Sequence, residues 1–314
     1  MSDDRPEVAW GLFFPQIGVD FHGLLERALA CEESGFHSLW LADHMWARGL
    51  PDVDHLEIWT ALSALAARTN RLRLGSLVLC NSYRNPALVA KMAATLDQIS
   101  GGRLEIGMGA GWMEEEYRGY GYGFPPVRTR IEQLDEAVEV VRRLLTEARV
   151  TFQGKHYALT AAANNPKPVQ RPYPPITIGG SGERLLLRVV AKHADRWNCP
   201  MNAGAEIGRK LAALRAHCAA VGRDPGTITV GEQVLVVLGK DDVDFEQRWA
   251  MAKQLLGTFA DLDAVAVRGT PEQVAVGLRT KIESGVRLFT LMFGDLAPVE
   301  TIRLFGERVL PALA

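Results

Sequence analysis

Short apolar runs alternate with longer amphipathic stretches along most of this chain, and that alternation dominates its pattern of hydrophobic and polar positions. Runs of about four to eight apolar residues predict buried strands, whereas apolar residues at helical spacing predict helices. The predicted strands cover residues 8–14, 38–41, 72–79, 104–108, 176–178, 196–199, 228–238 and 288–293. The predicted helices cover residues 21–34, 58–69, 86–99, 130–145, 183–193, 206–221, 245–256, 271–284 and 299–310.

Eight strands, each followed by a helix, imply parallel pairing with helical crossovers and fit a closed (β/α)8 TIM barrel. An open nucleotide-binding sheet would carry its glycine fingerprint at the first strand–helix turn, and residues 14–18 contain none. The sequence therefore predicts one α/β domain over residues 1–314, with insertions near 150–173 and 257–267. The second insertion has few helix formers and is predicted to be a mobile lid. Functional residues are expected in the loops that follow the strands.

Composition and charge narrow the class of partner. The 35 Lys and Arg residues nearly balance the 37 Asp and Glu residues, and no basic block stands out, which argues against nucleic acid. No apolar run approaches the roughly 18 residues of a membrane span, and residues 1–7 lack the apolar core of a signal peptide. The four cysteines match no paired or zinc-binding spacing, so free thiols are expected. These features predict a cytoplasmic protein without a metal site.

The loop after the second predicted strand carries Asp43 and His44, a carboxylate beside an imidazole. At the C-terminal end of a barrel strand, such a pair can bind a polar cofactor edge or move a proton. The alternative is a histidine satisfied by neighbouring backbone groups. His55 is the nearest other residue of a metal-ligand type, but the three residues match no known metal spacing.

The loop after the fifth predicted strand reads Gly179-Gly180-Ser181-Gly182 and opens a predicted helix at residue 183. Small residues and exposed amides at a helix N-terminus favour anion binding, and phosphate is the usual occupant. No Gly-Lys-Ser/Thr sequence follows, so the motif is not a triphosphate-binding P-loop.

Alternating glycines occur at Gly107, Gly109 and Gly111, from the end of the fourth predicted strand into the loop after it. They predict a floor under a planar ring, because missing side chains let a ligand approach the backbone. The alternative is that barrel packing alone requires them. The three glutamates at residues 114–116 are predicted to form a solvated first helical turn rather than a catalytic cluster.

Two further loops contribute weaker signals. Cys80, after the third predicted strand, has no recognisable nucleophile signature around it and is predicted to be a small residue facing a ligand. After the sixth strand, Trp197 or Asn198 would face the barrel mouth, depending on the pleat. A phosphate site, a glycine floor and an acid/base pair in one barrel predict a phosphorylated planar cofactor that carries redox chemistry.

Eight segments occur in a recognisable order along the chain. They are GFHSLWLADH (35–44), YRNP (83–86), AKMAATLD (90–97), SGGRLE (100–105), GAGW (109–112), PKPVQ (166–170), IGGSG (178–182) and ADRWN (194–198). Together they resemble the luciferase-like monooxygenase superfamily, and within it the group that uses the deazaflavin coenzyme F420. The resemblance covers about residues 8–198, and beyond that only the element pattern continues.

The resemblance implies a bacterial-luciferase-like barrel whose cofactor ring lies at the mouth, against the ends of the third and fourth strands. It implies that His44 is the catalytic proton partner, that Leu77–Val78 is a non-proline cis peptide and that Val78 buttresses the ring. It also implies that residues 179–182 hold the cofactor's phosphate. The implied cofactor-binding residues are Asp43, His44, Val78, Cys80, Asn81, Gly109, Gly111, Gly179, Gly180, Ser181, Gly182 and Asn198.

Trp112 departs from part of this family. Sugar-phosphate dehydrogenases of the superfamily carry a glutamate proton donor directly after the strand-four glycines, where this chain has Trp112. The departure argues against the same sugar-phosphate chemistry and leaves the second proton donor unassigned. The predicted substrate-pocket residues are Trp46, Trp112 and Trp197.

The resemblance favours hydride transfer between coenzyme F420 and a small organic substrate. One alternative is an FMN-dependent monooxygenase that uses O2 and reduced flavin from a partner reductase. The other is a non-catalytic flavin-binding barrel. The family also implies a homodimer.

Overall fold

The computed structural model describes residues 8–313. Its strands are β1 (Ala9–Phe14), β2 (Ser38–Leu41), β3 (Arg73–Ser76), β4 (Leu79–Cys80), β5 (Leu104–Gly109), β6 (Val150–Gln153), β7 (Ala158–Ala162), β8 (Ile176–Gly179), β9 (Arg196–Cys199), β10 (Thr229–Leu238), β11 (Ala266–Gly269) and β12 (Leu288–Phe293). Within the described range, eight parallel strands close into a barrel in the order β1-β2-β3-β5-β8-β9-β10-β12, and β12 returns to pair with β1. The predicted (β/α)8 barrel is therefore confirmed.

Helices follow every barrel strand and cover the outside of the barrel. They are α1 (Phe21–Glu33), α2 (Ile58–Ala66), α3 (Pro86–Ser100), α4 (Glu114–Gly119), α5 (Val127–Thr146), α6 (Leu186–His193), α7 (Ile207–Ala220), α8 (Asp242–Leu256), α9 (Leu262–Val265), α10 (Pro271–Glu283), α11 (Val299–Leu304) and α12 (Leu310–Leu313). A π-helical turn covers Phe305–Val309, and 3-10 turns cover Asn81–Tyr83, Met201–Glu206 and Pro225–Thr227. No helix within residues 8–313 is long and apolar enough to cross a membrane.

The third predicted strand is not continuous. It ends at Ser76 and resumes as β4, which pairs with β5. The peptide bond between Leu77 and Val78, in the gap, is cis, as the family resemblance implies.

Both predicted insertions contain regular structure. The first includes the antiparallel hairpin of β6 and β7. The second has a helix-poor composition, yet it contains α9 and the start of β11, because Leu262 packs into an apolar cluster with Leu235 and Trp249. Its mobility stays a prediction. The interpretation of residues 1–7 as lacking a signal peptide falls outside the described residues.

Trp40 fills the middle of the barrel, and glycines on the neighbouring strands make room for it. Its side chain is fully buried, and its indole nitrogen donates to Ser38 Oγ over 2.8 Å. A Cβ atom at Gly11 would lie 2.7 Å from that nitrogen, and one at Gly75 would overlap the ring. The interior is therefore packed, and ligands have access only to the mouth.

A buried carboxylate closes the opposite, N-terminal end of the barrel. Glu105 on β5 forms ion pairs with Arg73 on β3 and Arg196 on β9, and its side chain is completely inaccessible to solvent. Arg73 also donates to Gln170 over 2.7 Å. One carboxylate thus joins three strands of the barrel.

His37 makes the stability of this end depend on pH. Burial, with the nearby charges of Arg196 and Arg73, lowers the pKa of His37 from 6.5 to about 4. The unfolded chain therefore binds this proton first, and stability falls as the pH drops from about 6.5 towards 4. When the pH falls from 7 to 5, we expect the free energy of unfolding to decrease by about 1 kcal/mol less in His37→Gln than in wild type. The difference is no larger because the His37 ring is partly solvated. Denaturant unfolding of both proteins at both pH values measures this difference, and equal losses would contradict it.

Candidate functional site

A cavity of about 780 Å³ opens at the C-terminal mouth of the barrel, which is within the size range of ligand pockets. The segments that follow all eight barrel strands contribute to its walls. Ten of the site residues predicted from sequence line it: Asp43, His44, Val78, Cys80, Gly111, Trp112, Gly179, Gly180, Ser181 and Asn198.

Trp197 does not line the cavity, contrary to its prediction as a substrate-pocket residue. The pleat of β9 turns Asn198 inward, where its amide lies 3.1 Å from Thr290 Oγ1 in the barrel interior. Trp197 is fully buried on the other face of the strand, and its indole donates to the Gly180 carbonyl over 2.8 Å. It therefore supports the glycine-rich loop from behind.

Trp46 and Asn81 also lie outside the cavity lining. The Trp46 ring stacks on Tyr120 with 5.7 Å between centroids and occupies the space left by Gly119. Asn81 is buried, and its amide donates to the Tyr157 hydroxyl over 3.1 Å. Both side chains hold loops together rather than facing the cavity.

Gly109 and Gly111 are needed for packing of the barrel. This was the alternative to a role as a floor under a ligand, and it describes the two glycines better. A Cβ atom at Gly109 would lie 2.5 Å from Val78, and one at Gly111 would lie 2.6 Å from Cys80 Sγ and overlap the Tyr117 hydroxyl. Gly111 has φ +74°, a region that side chains disfavour. Only Gly111 of the two also lines the cavity.

Val78 is the apolar floor that these glycines allow. Its side chain fills the space beside Gly109 and Gly179, where a Cβ atom would approach it to 2.5 Å and 2.8 Å. Leu77, Leu79 and Phe13 line the same cavity. The result is an apolar surface on which a flat ring system can rest.

His44 is held in one orientation by Glu116. Its Nδ1 lies 2.8 Å from Glu116 Oε2, while the ring remains partly exposed in the cavity wall. A carboxylate only accepts hydrogen bonds, so Nδ1 carries the proton and Nε2 is the nitrogen left for exchange with a ligand.

Glu116 was missed, because the sequence predicted a solvated turn at residues 114–116. Glu114 and Glu115 are exposed, but the Glu116 side chain is completely buried. It also accepts hydrogen bonds from the Met45 amide (2.5 Å) and the Tyr83 hydroxyl (2.8 Å). Burial alone would raise the pKa of Glu116, but these partners and His44 hold it below its ordinary value.

A helical register would have identified Glu116. Met113, Glu116 and Tyr117 stand at positions i, i+3 and i+4, which share one face of a helix. Met113 and Tyr117 are both buried, so that face points inward and takes Glu116 with it. The pattern of three consecutive glutamates concealed this, because it looks uniformly polar.

Asp43 is held by groups behind the cavity wall. Its carboxylate accepts two hydrogen bonds from Arg84, at 2.8 and 3.0 Å, and one from the Cys80 amide at 2.8 Å. It therefore ties the end of β2 to the turn after β4. Burial raises the pKa of Cys80 to about 11, so this residue remains a thiol at neutral pH.

Gln16 and His55 are further residues that sequence reasoning did not assign. Gln16 is fully buried and exchanges hydrogen bonds with the backbone of Ala42 (2.7 and 3.0 Å) and donates to Leu56 (3.0 Å). This clamp fixes the loops that carry His44 and His55. Burial and the nearby His44 lower the pKa of His55 to about 4, so it is neutral at pH 7.

The glycine-rich loop continues further than predicted, because α6 begins at Leu186 and not at residue 183. Among the described residues, the amides of Ser181, Gly182 and Glu183 donate to no acceptor. Lys210, buried beneath the loop, donates to the Ser181 carbonyl over 3.1 Å. Gly180 and Ser181 line the cavity, whereas Gly182 is exposed outside it. Lys210 is itself paired with Glu183 at 3.3 Å and Glu206 at 3.4 Å, so the unpartnered amides of the loop are the groups suited to an anion.

A different wall of the cavity is apolar. It consists of residues from the end of α8, the segment that follows it and the loop after β9, namely Leu255, Leu256, Phe259, Ala260, Leu262 and Met201. Within residues 8–313, no group of three or more His, Cys, Asp and Glu side chains could hold a metal ion.

Comparison with known proteins places this geometry in context. The model of a family described as luciferase-like monooxygenase matches residues 14–261. The F420-dependent glucose-6-phosphate dehydrogenase of Kineococcus radiotolerans is 33% identical over 210 residues, which cover 65% of this chain and 60% of that protein. The chain therefore matches about three fifths of that relative's length.

Two solved structures share the fold over 98% of this chain and 100% of theirs. One is an F420-dependent secondary alcohol dehydrogenase in complex with an F420–acetone adduct, with a TM-score of 0.85 and 23% identity. The other is the coenzyme F420-dependent tetrahydromethanopterin reductase from Methanopyrus kandleri, with a TM-score of 0.83 and 20% identity.

Proposed function

The chain belongs to the luciferase-like monooxygenase family, and within it we propose an oxidoreductase that transfers a hydride between coenzyme F420 and a small organic substrate. One observation carries the proposal: a single cavity joins the apolar floor at Val78, the imidazole of His44 and the glycine-rich loop at Gly180 and Ser181, where the unpartnered amides of residues 181–183 begin. These features suit a flat ring, a proton partner and a phosphate, respectively. The relative named for F420 dependence supports the same cofactor.

Bound coenzyme F420 supplies or accepts the hydride. His44 moves the accompanying proton to or from the substrate oxygen through Nε2, because Nδ1 is committed to Glu116. The Glu116 carboxylate stabilises the imidazolium that forms, and its other partners keep it ionised. Asp43 orients the cavity wall, and Cys80 and Asn198, which line the cavity, would help to hold the bound coenzyme.

Cofactor titration tests this proposal. Coenzyme F420 and FMN are each added to apoprotein, and binding is followed by fluorescence and calorimetry. We expect coenzyme F420 to bind more tightly than FMN. Micromolar FMN binding with no binding of coenzyme F420 would contradict the proposal and favour the FMN-dependent monooxygenase, which oxygen uptake with reduced FMN would then identify.

Glu116→Gln is expected to lower kcat by about 100-fold, because the imidazolium of His44 loses its counter-charge. The pH profile of kcat should also move to lower pH, which a purely structural defect would not cause. Glu114→Gln is the matched control, since Glu114 stands on the same helix, is exposed and pairs only with Arg118. An unchanged pH profile in Glu116→Gln would argue that the carboxylate has only a structural role.

Ser181→Pro is expected to weaken coenzyme F420 binding by about 10-fold or more, because it removes one amide donor to the phosphate. Ser181→Ala keeps that amide and removes only the hydroxyl, so it separates the two donors. Calorimetry with both variants measures the affinities. Equal affinity of wild type and Ser181→Pro would show that the phosphate lies elsewhere.

We also propose that the chain forms one domain and assembles as a cytoplasmic homodimer. The buried free cysteines support a reducing compartment, and the family resemblance supports the dimer. A single cooperative unfolding transition, and twice the chain mass by light scattering, are the expected results.

A further inference from the structure

We propose that the substrate of this site is an uncharged alcohol or carbonyl compound with an apolar frame, and not a sugar phosphate. The reaction assigned to it rests on the proposed function, whereas the binding preference is a property of the chain alone. The substrate would occupy the part of the cavity away from the glycine-rich loop.

The apolar wall defined above has no charged side chain. Phe259 and Leu255 are 46% and 40% exposed, although both are apolar. Trp112 also lines the cavity; it is 56% exposed, and its ring lies 5.6 Å from that of His44. Apolar surface that is exposed to water in a cavity contributes to binding when a ligand covers it.

Cations that could hold a second phosphate are scarce in the lining. Besides the two histidines, Arg48 is the one cationic residue among the described residues that line the cavity. Arg48 is exposed, and its guanidinium lies over the Trp112 ring, 5.6 Å from the centroid. His55 is neutral at pH 7, because its pKa is about 4. A phosphate dianion bound here would lose water without gaining an adequate set of donors.

The polar groups near His44 suit one neutral oxygen. His44 Nε2 can donate to or accept from a hydroxyl or carbonyl oxygen, while Glu116 is already fully engaged. In the reducing direction, bound coenzyme F420 would supply the hydride to the carbonyl carbon, the C=O π electron pair would move onto the oxygen, and His44 would donate the proton that completes the O–H bond. The carbonyl compound would thereby be reduced to an alcohol and the coenzyme oxidised. In the reverse direction, the alcohol would be oxidised and the coenzyme reduced.

Binding of matched probes tests the inference without the coenzyme. Cyclohexanol, 2-octanol, cyclohexyl phosphate and glucose 6-phosphate are titrated by calorimetry, first into coenzyme-free protein in which saturating inorganic phosphate occupies the glycine-rich loop, and then with coenzyme F420 present. We expect an alcohol to bind at least about 10-fold more tightly than either phosphate, which corresponds to about 1.4 kcal/mol. Tighter binding of either phosphate, or no binding of either alcohol, would overturn the inference.

A charged side chain placed on the apolar wall provides a second test of the inference. Phe259→Lys should reduce the preference for cyclohexanol over cyclohexyl phosphate by about 10-fold. Val243→Lys is the control, because Val243 is 72% exposed and lies outside the cavity lining. Circular dichroism confirms folding of both variants, and an unchanged preference in folded Phe259→Lys counts against the inference. Failure of coenzyme F420 to bind, with the alcohol preference intact, would overturn only the proposed function.

Discussion

Replacing His44 by alanine lowers kcat with coenzyme F420 by about 10²–10⁴-fold, the usual contribution of a positioned proton donor or acceptor. The hydride and the proton must both move for a carbonyl to become an alcohol. His44 is the partly exposed imidazole in the cavity wall whose orientation Glu116 fixes at 2.8 Å. Steady-state kinetics and coenzyme titration of the same preparation measure the effect, and the coenzyme affinity should change by less than the turnover.

His22→Ala is the matched control for this prediction. His22 lies on α1, its side chain is 79% exposed, and its partner is the exposed Glu26. The same substitution there should leave turnover unchanged. If His44→Ala also retained full turnover, another group would have to move the proton, and the non-catalytic alternative would be favoured for His44.

Replacing Glu105 by alanine lowers the free energy of unfolding by about 3–5 kcal/mol, the range found when one partner of a buried ion pair is removed. Without this carboxylate, Arg73 and Arg196 face each other at the closed end of the barrel with no counter-charge from it. Denaturant unfolding measures the change. We expect it to be among the largest single-residue effects in the chain.

Glu33→Ala is the control for the buried pair. Glu33 pairs with Arg303 at 3.3 Å, and both side chains are more than half exposed. Surface pairs of this kind contribute about 0–1 kcal/mol. If the two alanine variants lost equal stability, burial would not explain the contribution of Glu105.

The barrel could be predicted because its strands are short apolar runs separated by long amphipathic helices, a pattern that few folds satisfy. The predicted bounds failed where tertiary contacts decide the conformation. The segment 257–267 forms α9 because Leu262 finds a buried site beside Trp249, which composition does not reveal. The break in the third strand at Leu77–Val78 came from family resemblance, not from periodicity.

The residues that line the cavity could be predicted where one position decides the outcome, as at His44 after β2. The prediction failed where the pleat of a strand or the register of a helix decides which way a side chain points. Trp197 and Asn198 are adjacent, and only the pairing of β9 determines that Asn198 faces inward. Glu116 needed the register of α4, and Gln16 needed the approach of two loops that are distant in sequence. The role of Gly109 needed the position of Val78.

A structure of the complex with coenzyme F420 would show where the ring and the phosphate bind. We expect the tricyclic ring against Val78 within reach of His44, and the phosphate within hydrogen-bond distance of the amides of residues 181–183. A ring that lies away from Val78, or a phosphate held by other groups, would contradict this expectation.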